Sequence, residues 1–150
     1  MKTFSIREII EYAIEIEKRS FEFYTRAAQN MGESKAKDLL VQLSGEEVDH
    51  QNRLIGLIDE SKVSQVVLLK EMEVDTTVMD RLAKNSGMTA GTPPLDVLKL
   101  ALEREKNTER IYAMLQTLSH ITHNIVRVFE DLRMQEIGHA NKIQARIDKL

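Results

Sequence analysis

"GEEVDHQNRL", residues 45–54, decides how this chain is read. Taken as helix, it continues an apolar stripe that runs Ala36, Leu40, Leu43, Glu47, His50, Leu54, Leu57 at steps of three and four. Glu47 and His50 therefore project from the side that should be burying leucines. A carboxylate taken out of water without compensation is costly, so the pair needs a physical reason. "MQEIGHANKI", residues 134–143, poses the same problem: Glu136 and His139 interrupt a stripe through Ile125, Phe129, Leu132, Ile143 and Ile147.

Two further stripes complete the pattern. The first begins at a capping box, Ser5 with Glu8, and Phe4 with Ile9 can form a hydrophobic staple. It runs Ile10, Ala13/Ile14, Glu17, Phe21, Tyr24, Ala28 and stops at "NMGES", 30–34. The other starts near "GTPPLD", where proline suits a first helical turn, and runs Leu98, Ala101/Leu102, Glu105, Tyr112, Leu115. Short joints around 31–34 and 118–122 make two antiparallel hairpins. Residues 61–92 are too many for a turn and read as a long crossover, in which "VSQVVLLKEMEV" and "TTVMDRLAKNSGM" suit one or two short helices. The expected fold is all-α: a single four-helix-bundle domain over residues 1–150, built from two antiparallel hairpins.

The hairpins are also copies of each other. Residues 13–24 align without gaps on 101–112, an offset of 88, and 43–54 align on 132–143, an offset of 89. A pseudo-twofold axis should relate them.

Composition narrows the chemistry. The net charge of −3 offers no basic surface for nucleic acid. There is no cysteine, which excludes disulfides, thiolate zinc sites and iron–sulfur clusters. Charges break the N-terminal stretch every few residues, so no signal core, no membrane span and a cytoplasmic setting are expected.

Glu17, Glu47, His50, Glu105, Glu136 and His139 lie near the middle of their stripes and converge if the stripes face inward. One inward glutamate alone would read as half of a buried ion pair, and one such histidine as an ordinary core residue. Two matching sets argue for something cationic. Four carboxylates in a low-dielectric core repel one another, and two divalent ions would balance them. Oxygen-rich ligation with two imidazoles suits iron or manganese, with zinc left open. A glutamate from each of two helices and Glu-x-x-His from the other two is the ligand pattern of di-iron and di-manganese bundles.

The segments "EIEKRSFEFY", "EEVDH", "EREKNTERIY" and "QEIGH", in that order, resemble the ferritin-like superfamily and, within it, the rubrerythrin-related di-iron proteins. The resemblance implies a ferritin-like bundle with two iron ions. Glu47 and Glu136 would bridge them, Glu17 and Glu105 would be terminal, and His50 and His139 would each hold one ion. It implies that Tyr24 and Tyr112 hydrogen-bond metal-bound carboxylates, and that the reduced pair reacts with peroxide or dioxygen. The cysteine-bound iron of rubrerythrins proper has no counterpart here, so electrons are expected from a separate donor protein. An additional glutamate that rubrerythrin peroxidases carry on the third helix is Thr108 here, with Glu109 beside it. A peroxide- or dioxygen-reducing oxidoreductase is the leading expectation. A metal-binding or buffering protein is the alternative, and a metal-free interaction module is a third reading. A homodimer is expected. His120 and His123 read as surface or capping residues near the second joint.

Overall fold

The computed structural model describes residues 2–59, 71–74, 91–117 and 123–150. Four long helices dominate: α1 (Ile6–Gln29), α2 (Lys35–Asp59), α3 (Pro94–Gln116) and α4 (His123–Asp148). The capping box forms as the sequence indicates. Glu8 N donates to Ser5 Oγ at 3.1 Å, and Ser5 N donates back to Glu8 Oε1 at 3.5 Å. Phe4 packs onto the cluster that contains Ile9. Ser34 Oγ accepts from Lys37 N at 3.1 Å and opens α2 after a five-residue joint. Pro94 starts α3 with its fixed φ and without wasting a donor.

The core is split into two apolar layers, and their membership fixes every helix direction. One layer joins the start of α1 (Ile6, Ile9, Ile10, Ala13, Ile16) to the ends of α2 (Leu54, Leu57) and α3 (Ile111, Tyr112, Leu115) and the start of α4 (Ile125, Phe129, Leu132). The other joins the end of α1 (Phe23, Tyr24, Ala27, Ala28) to the starts of α2 (Ala36, Leu40, Leu43) and α3 (Val97, Leu98, Ala101) and Ile143 near the end of α4. Thus α1 runs parallel to α4 and antiparallel to α2 and α3. The α1–α2 and α3–α4 hairpins pack within themselves, and α1–α3 and α2–α4 contacts join them. The stripe on α2 is buried at every expected position. Ile14, Phe21, Leu102 and Ile147 are only half-buried, at the edges of their stripes.

One feature departs from an all-helical expectation. Lys2–Ser5 forms β1, which pairs antiparallel with β2, Glu71–Val74, in the register Lys2↔Val74 to Ser5↔Glu71. The part of "VSQVVLLKEMEV" read as helix is therefore strand. Each strand has four residues, too few to persist alone, and each is satisfied by a partner some seventy residues away, which local pattern cannot disclose. The remaining crossover residues, the second joint and His120 lie outside the described residues. Among the described residues no helix is long and apolar enough to cross a membrane.

The layer assignment is checked by two substitutions half a turn apart on α2. Leu40 is fully buried and Gln42 is exposed. Leu40→Ala should cost about 2–5 kcal/mol in denaturant unfolding, from lost burial plus a cavity. Gln42→Ala should stay within about 0.5 kcal/mol of the parent. Similar losses for both would contradict the orientation of α2.

Candidate metal centre

Between the two apolar layers lies a polar one. Glu17 comes from α1, Glu47 and His50 from α2, Glu105 from α3, and Glu136 and His139 from α4, and none is more than 4% exposed. All six sequence-derived positions meet. His50 Nδ1 lies 3.0 Å from Glu136 Oε1, 3.3 Å from Glu17 Oε2 and 3.6 Å from Glu47 Oε2. His139 Nδ1 lies 3.3 Å from Glu47 Oε1, 3.5 Å from Glu105 Oε1 and 3.8 Å from Glu136 Oε2. The two imidazoles stack almost parallel, 7° apart, with centroids 5.5 Å apart.

These approaches are close without being well paired. Glu47 Oε1 and Oε2, Glu105 Oε2, Glu136 Oε1 and His139 Nδ1 are buried and have no hydrogen-bond partner among the described residues, although several lie at ion-pair distance. Buried polar atoms are rarely left so. Their donor atoms fall into two groups of four, each within 4.8 Å: Glu17, Glu47, His50, Glu136, and Glu47, Glu105, Glu136, His139. Glu47 and Glu136 belong to both. Each group offers three carboxylates and one imidazole, a set that fits a divalent ion of the iron or manganese kind.

The tyrosines are placed crosswise. Tyr24 on α1 donates to Glu105 on α3, and Tyr112 on α3 donates to Glu17 on α1. Each tyrosine follows its own helix's glutamate by seven residues, about 10.5 Å of rise. Only antiparallel axes let both reach the opposite glutamate at once. Burial, then the facing Glu105 and Glu17 carboxylates, push both phenols well above their ordinary range. They stay protonated at neutral pH and act as donors.

Residues that the sequence reading passed over complete the surround. His50 Nε2 faces Gln135 Oε1 at 2.6 Å, and His139 Nε2 faces Glu46 Oε2 at 3.1 Å. Both histidines thus turn Nδ1 inward and hold Nε2 against an outer oxygen. The signal was present: Glu46 and Gln135 occupy equivalent repeat positions immediately before Glu47 and Glu136. Thr108 is buried, and its hydroxyl donates to Arg104 O at 2.9 Å. Glu109 is turned away, paired with Arg133 Nε at 2.7 Å. His123 is exposed.

Crowding decides where the protons sit. Burial, and then repulsion from neighbouring carboxylates, push Glu47 and Glu136 well above the carboxylate range. Burial also pushes Glu17 up, but its contacts with Glu47, His50 and the Tyr112 hydroxyl outweigh this and hold it below 4.5. Burial opposes charging the histidines. The Glu17 and Glu47 carboxylates overcome it at His50, raised to about 11, and Glu105 and Glu47 do so at His139, raised to about 9.

A basic group raised on folding stabilises the fold below its ordinary pKa, and that contribution is lost as pH climbs through the raised value. For His50 the window runs from 6.5 to about 11, and for His139 from 6.5 to about 9. Metal-free protein should therefore lose stability as pH rises above 6.5. An ion on Nδ1 requires those protons to leave, so its stabilisation should grow over the same range. The rise in melting temperature on adding Mn²⁺ should be larger at pH 8.5 than at pH 6.5, with protons released on binding. An increment independent of pH would contradict this charge assignment.

The Rubrerythrin family model matches residues 2–58, which span β1, α1 and α2 and carry Glu17, Tyr24, Glu47 and His50. No curated protein and no solved structure shows significant similarity to the chain. The match stops at the first hairpin, but the second repeats Glu17, Tyr24, Glu47 and His50 as Glu105, Tyr112, Glu136 and His139 and packs against it. With that match over the first hairpin and that repeat in the second, the chain is similar to the Rubrerythrin family.

Proposed function

We propose that this is a di-iron carboxylate oxidoreductase that reduces peroxide or dioxygen with electrons from a separate donor protein. The observation that carries this reading is the pair of buried ligand groups sharing Glu47 and Glu136. Glu47 and Glu136 would bridge, Glu17 with His50 would serve one ion, and Glu105 with His139 the other. A reduced iron pair supplies two electrons and Lewis acidity toward an oxygen–oxygen bond. The protein supplies the rest. Tyr24 and Tyr112 hold the Glu105 and Glu17 carboxylates in place through their hydroxyls. The apolar layers on both sides keep bulk water from the polar one. For peroxide the net change takes up two electrons and two protons and releases two waters. Manganese and zinc are the competing ions, and the reading includes a cytoplasmic setting.

One observation favours a second reading, a protein that binds or buffers divalent metal without turnover. Thr108 stands where the extra glutamate would be, and its hydroxyl is committed to a backbone carbonyl. Neither it nor Glu109 adds a ligand.

The quaternary proposal is a homodimer through α2. Val41, Val48 and Ile55, seven residues apart, are 54%, 37% and 40% exposed. Between them on that face lie Ser44, Gly45, Gln51 and Asn52, all uncharged. An uncharged apolar stripe at heptad spacing suits a second helix.

Anaerobic stopped-flow mixing of Fe²⁺-loaded protein with hydrogen peroxide should oxidise the iron at least about tenfold faster than free Fe²⁺, a gain of the order expected for one oriented effect. With a chemical reductant present, peroxide should be consumed over many turnovers. One stoichiometric oxidation and no more would select the buffering reading. For the dimer, light scattering should give twice the chain mass for the parent and the single-chain mass for Val48→Glu. An unchanged mass in the variant would remove α2 as the interface.

A further inference from the structure

The pseudo-twofold repeat is kept identity for identity at the centre: Glu17 with Glu105, Tyr24 with Tyr112, Glu47 with Glu136, His50 with His139. It is broken one step further out. The equivalent positions that face the outer nitrogens of the histidines are Glu46, against His139, and Gln135, against His50. One ring is backed by a carboxylate and the other by a neutral amide. Both contacts involve Nε2, which leaves both Nδ1 atoms facing the carboxylates. Glu46 Oε2 is buried although its side chain is about a third exposed; it has no hydrogen-bond partner among the described residues, and its close polar neighbour is His139 Nε2 at an ion-pair distance of 3.1 Å.

Resting on the di-metal reading above, we infer that Glu46 makes the two half-sites unequal, so that the half built on His139 and Glu105 binds its ion more tightly and fills first. The physical basis is short. A carboxylate behind an imidazole N–H raises the electron density at the opposite nitrogen and adds a negative charge near the cation. An amide supports the same ring orientation without the charge. Outer partners of this kind change metal affinity by about 10–100-fold. Arg104 lies on the same half and opposes the effect, but its guanidinium stands over the Phe23 ring at 5.0 Å and reaches Ser20 Oγ at 3.4 Å. Glu46 touches the ligating ring itself. Lys142, one turn beyond His139, is exposed and its charge is screened by solvent.

A titration of the metal-free chain with Co²⁺, followed by its visible absorption, tests this. The parent should show two steps separated by about 10–100-fold in affinity. Glu46→Gln is isosteric and keeps an oxygen against His139, so it should weaken the tighter step and bring the two together. Gln135→Glu should tighten the weaker step and also bring them together, a gain that a merely structural role for these positions would not produce. The half-sites can be separated with Glu17→Gln, which impairs the His50 half, and Glu105→Gln, which impairs the His139 half. Glu46→Gln should lower Co²⁺ affinity about 10–100-fold in the first background and less than about threefold in the second. Should either background fail to fold, the stepwise titrations of the parent, Glu46→Gln and Gln135→Glu decide alone. Two equal steps in the parent, or equal effects of Glu46→Gln on both, would overturn the inference and leave the di-metal reading standing. Failure of the folded parent to take up any ion would reject that reading itself.

Discussion

Four carboxyl groups and two imidazoles share the middle of this bundle, away from water, and the rest of the structure is arranged around that fact. In a medium of low polarity such a set cannot keep all its carboxylates ionised without cations. Protons or metal ions can satisfy it. With protons, the histidines are held charged by their carboxylate neighbours, while burial and mutual repulsion make Glu47 and Glu136 hold protons more tightly than ordinary carboxyl groups. Dications held there would take the same groups as ligands and displace those protons. The ability to exchange one for the other makes the centre a metal site in waiting rather than a defect in the core. The apolar layers that flank it give each end of the bundle a conventional core, so the polar layer does not have to stabilise the fold unaided.

Neither hairpin can build the centre alone. The group around His50 needs Glu136 from the second hairpin, and the group around His139 needs Glu47 from the first. The tyrosine contacts cross in the same manner, from α1 to α3 and back. Assembly of the site and docking of the hairpins are therefore one event. This constrains the axial offset of α1 and α3, because sliding one antiparallel helix along the other disturbs both tyrosine–glutamate contacts together.

Symmetry holds where coordination would demand it and fails beyond it. Ile16 of α1 corresponds to Arg104 of α3, Glu46 of α2 to Gln135 of α4, and the Arg53–Asp131 bridge between α2 and α4 corresponds to Lys142 and Gln42. Arg104 is pushed below its ordinary pKa by burial, yet it is retained beside the Glu105 half. The six inward residues and the two tyrosines are the same in both halves, while their surroundings differ and give the halves different electrostatics.

Much of this was legible in the chain. The three- and four-residue periodicity identified four helices because burial acts on one face at a time. The Ser5–Glu8 box marked the start of α1 because capping is local. The six inward polar residues could be singled out because they interrupt apolar stripes in two matching sets. Local pattern could not disclose that Glu71–Val74 is a strand, since its partner lies at the far N-terminal end of the sequence. Spacing placed Tyr24 and Tyr112 on the face of a glutamate but not on which glutamate, because the acceptor is set by the antiparallel packing of α1 and α3. Which nitrogen of each histidine turns inward, and the placing of Glu46 and Gln135 behind the rings, follow from how α2 and α4 approach each other. Periodicity along each helix settles which groups are buried together, and that periodicity is written in the chain. Which of them touch is set by the relative direction and axial offset of the packed helices, and no single helix carries that information.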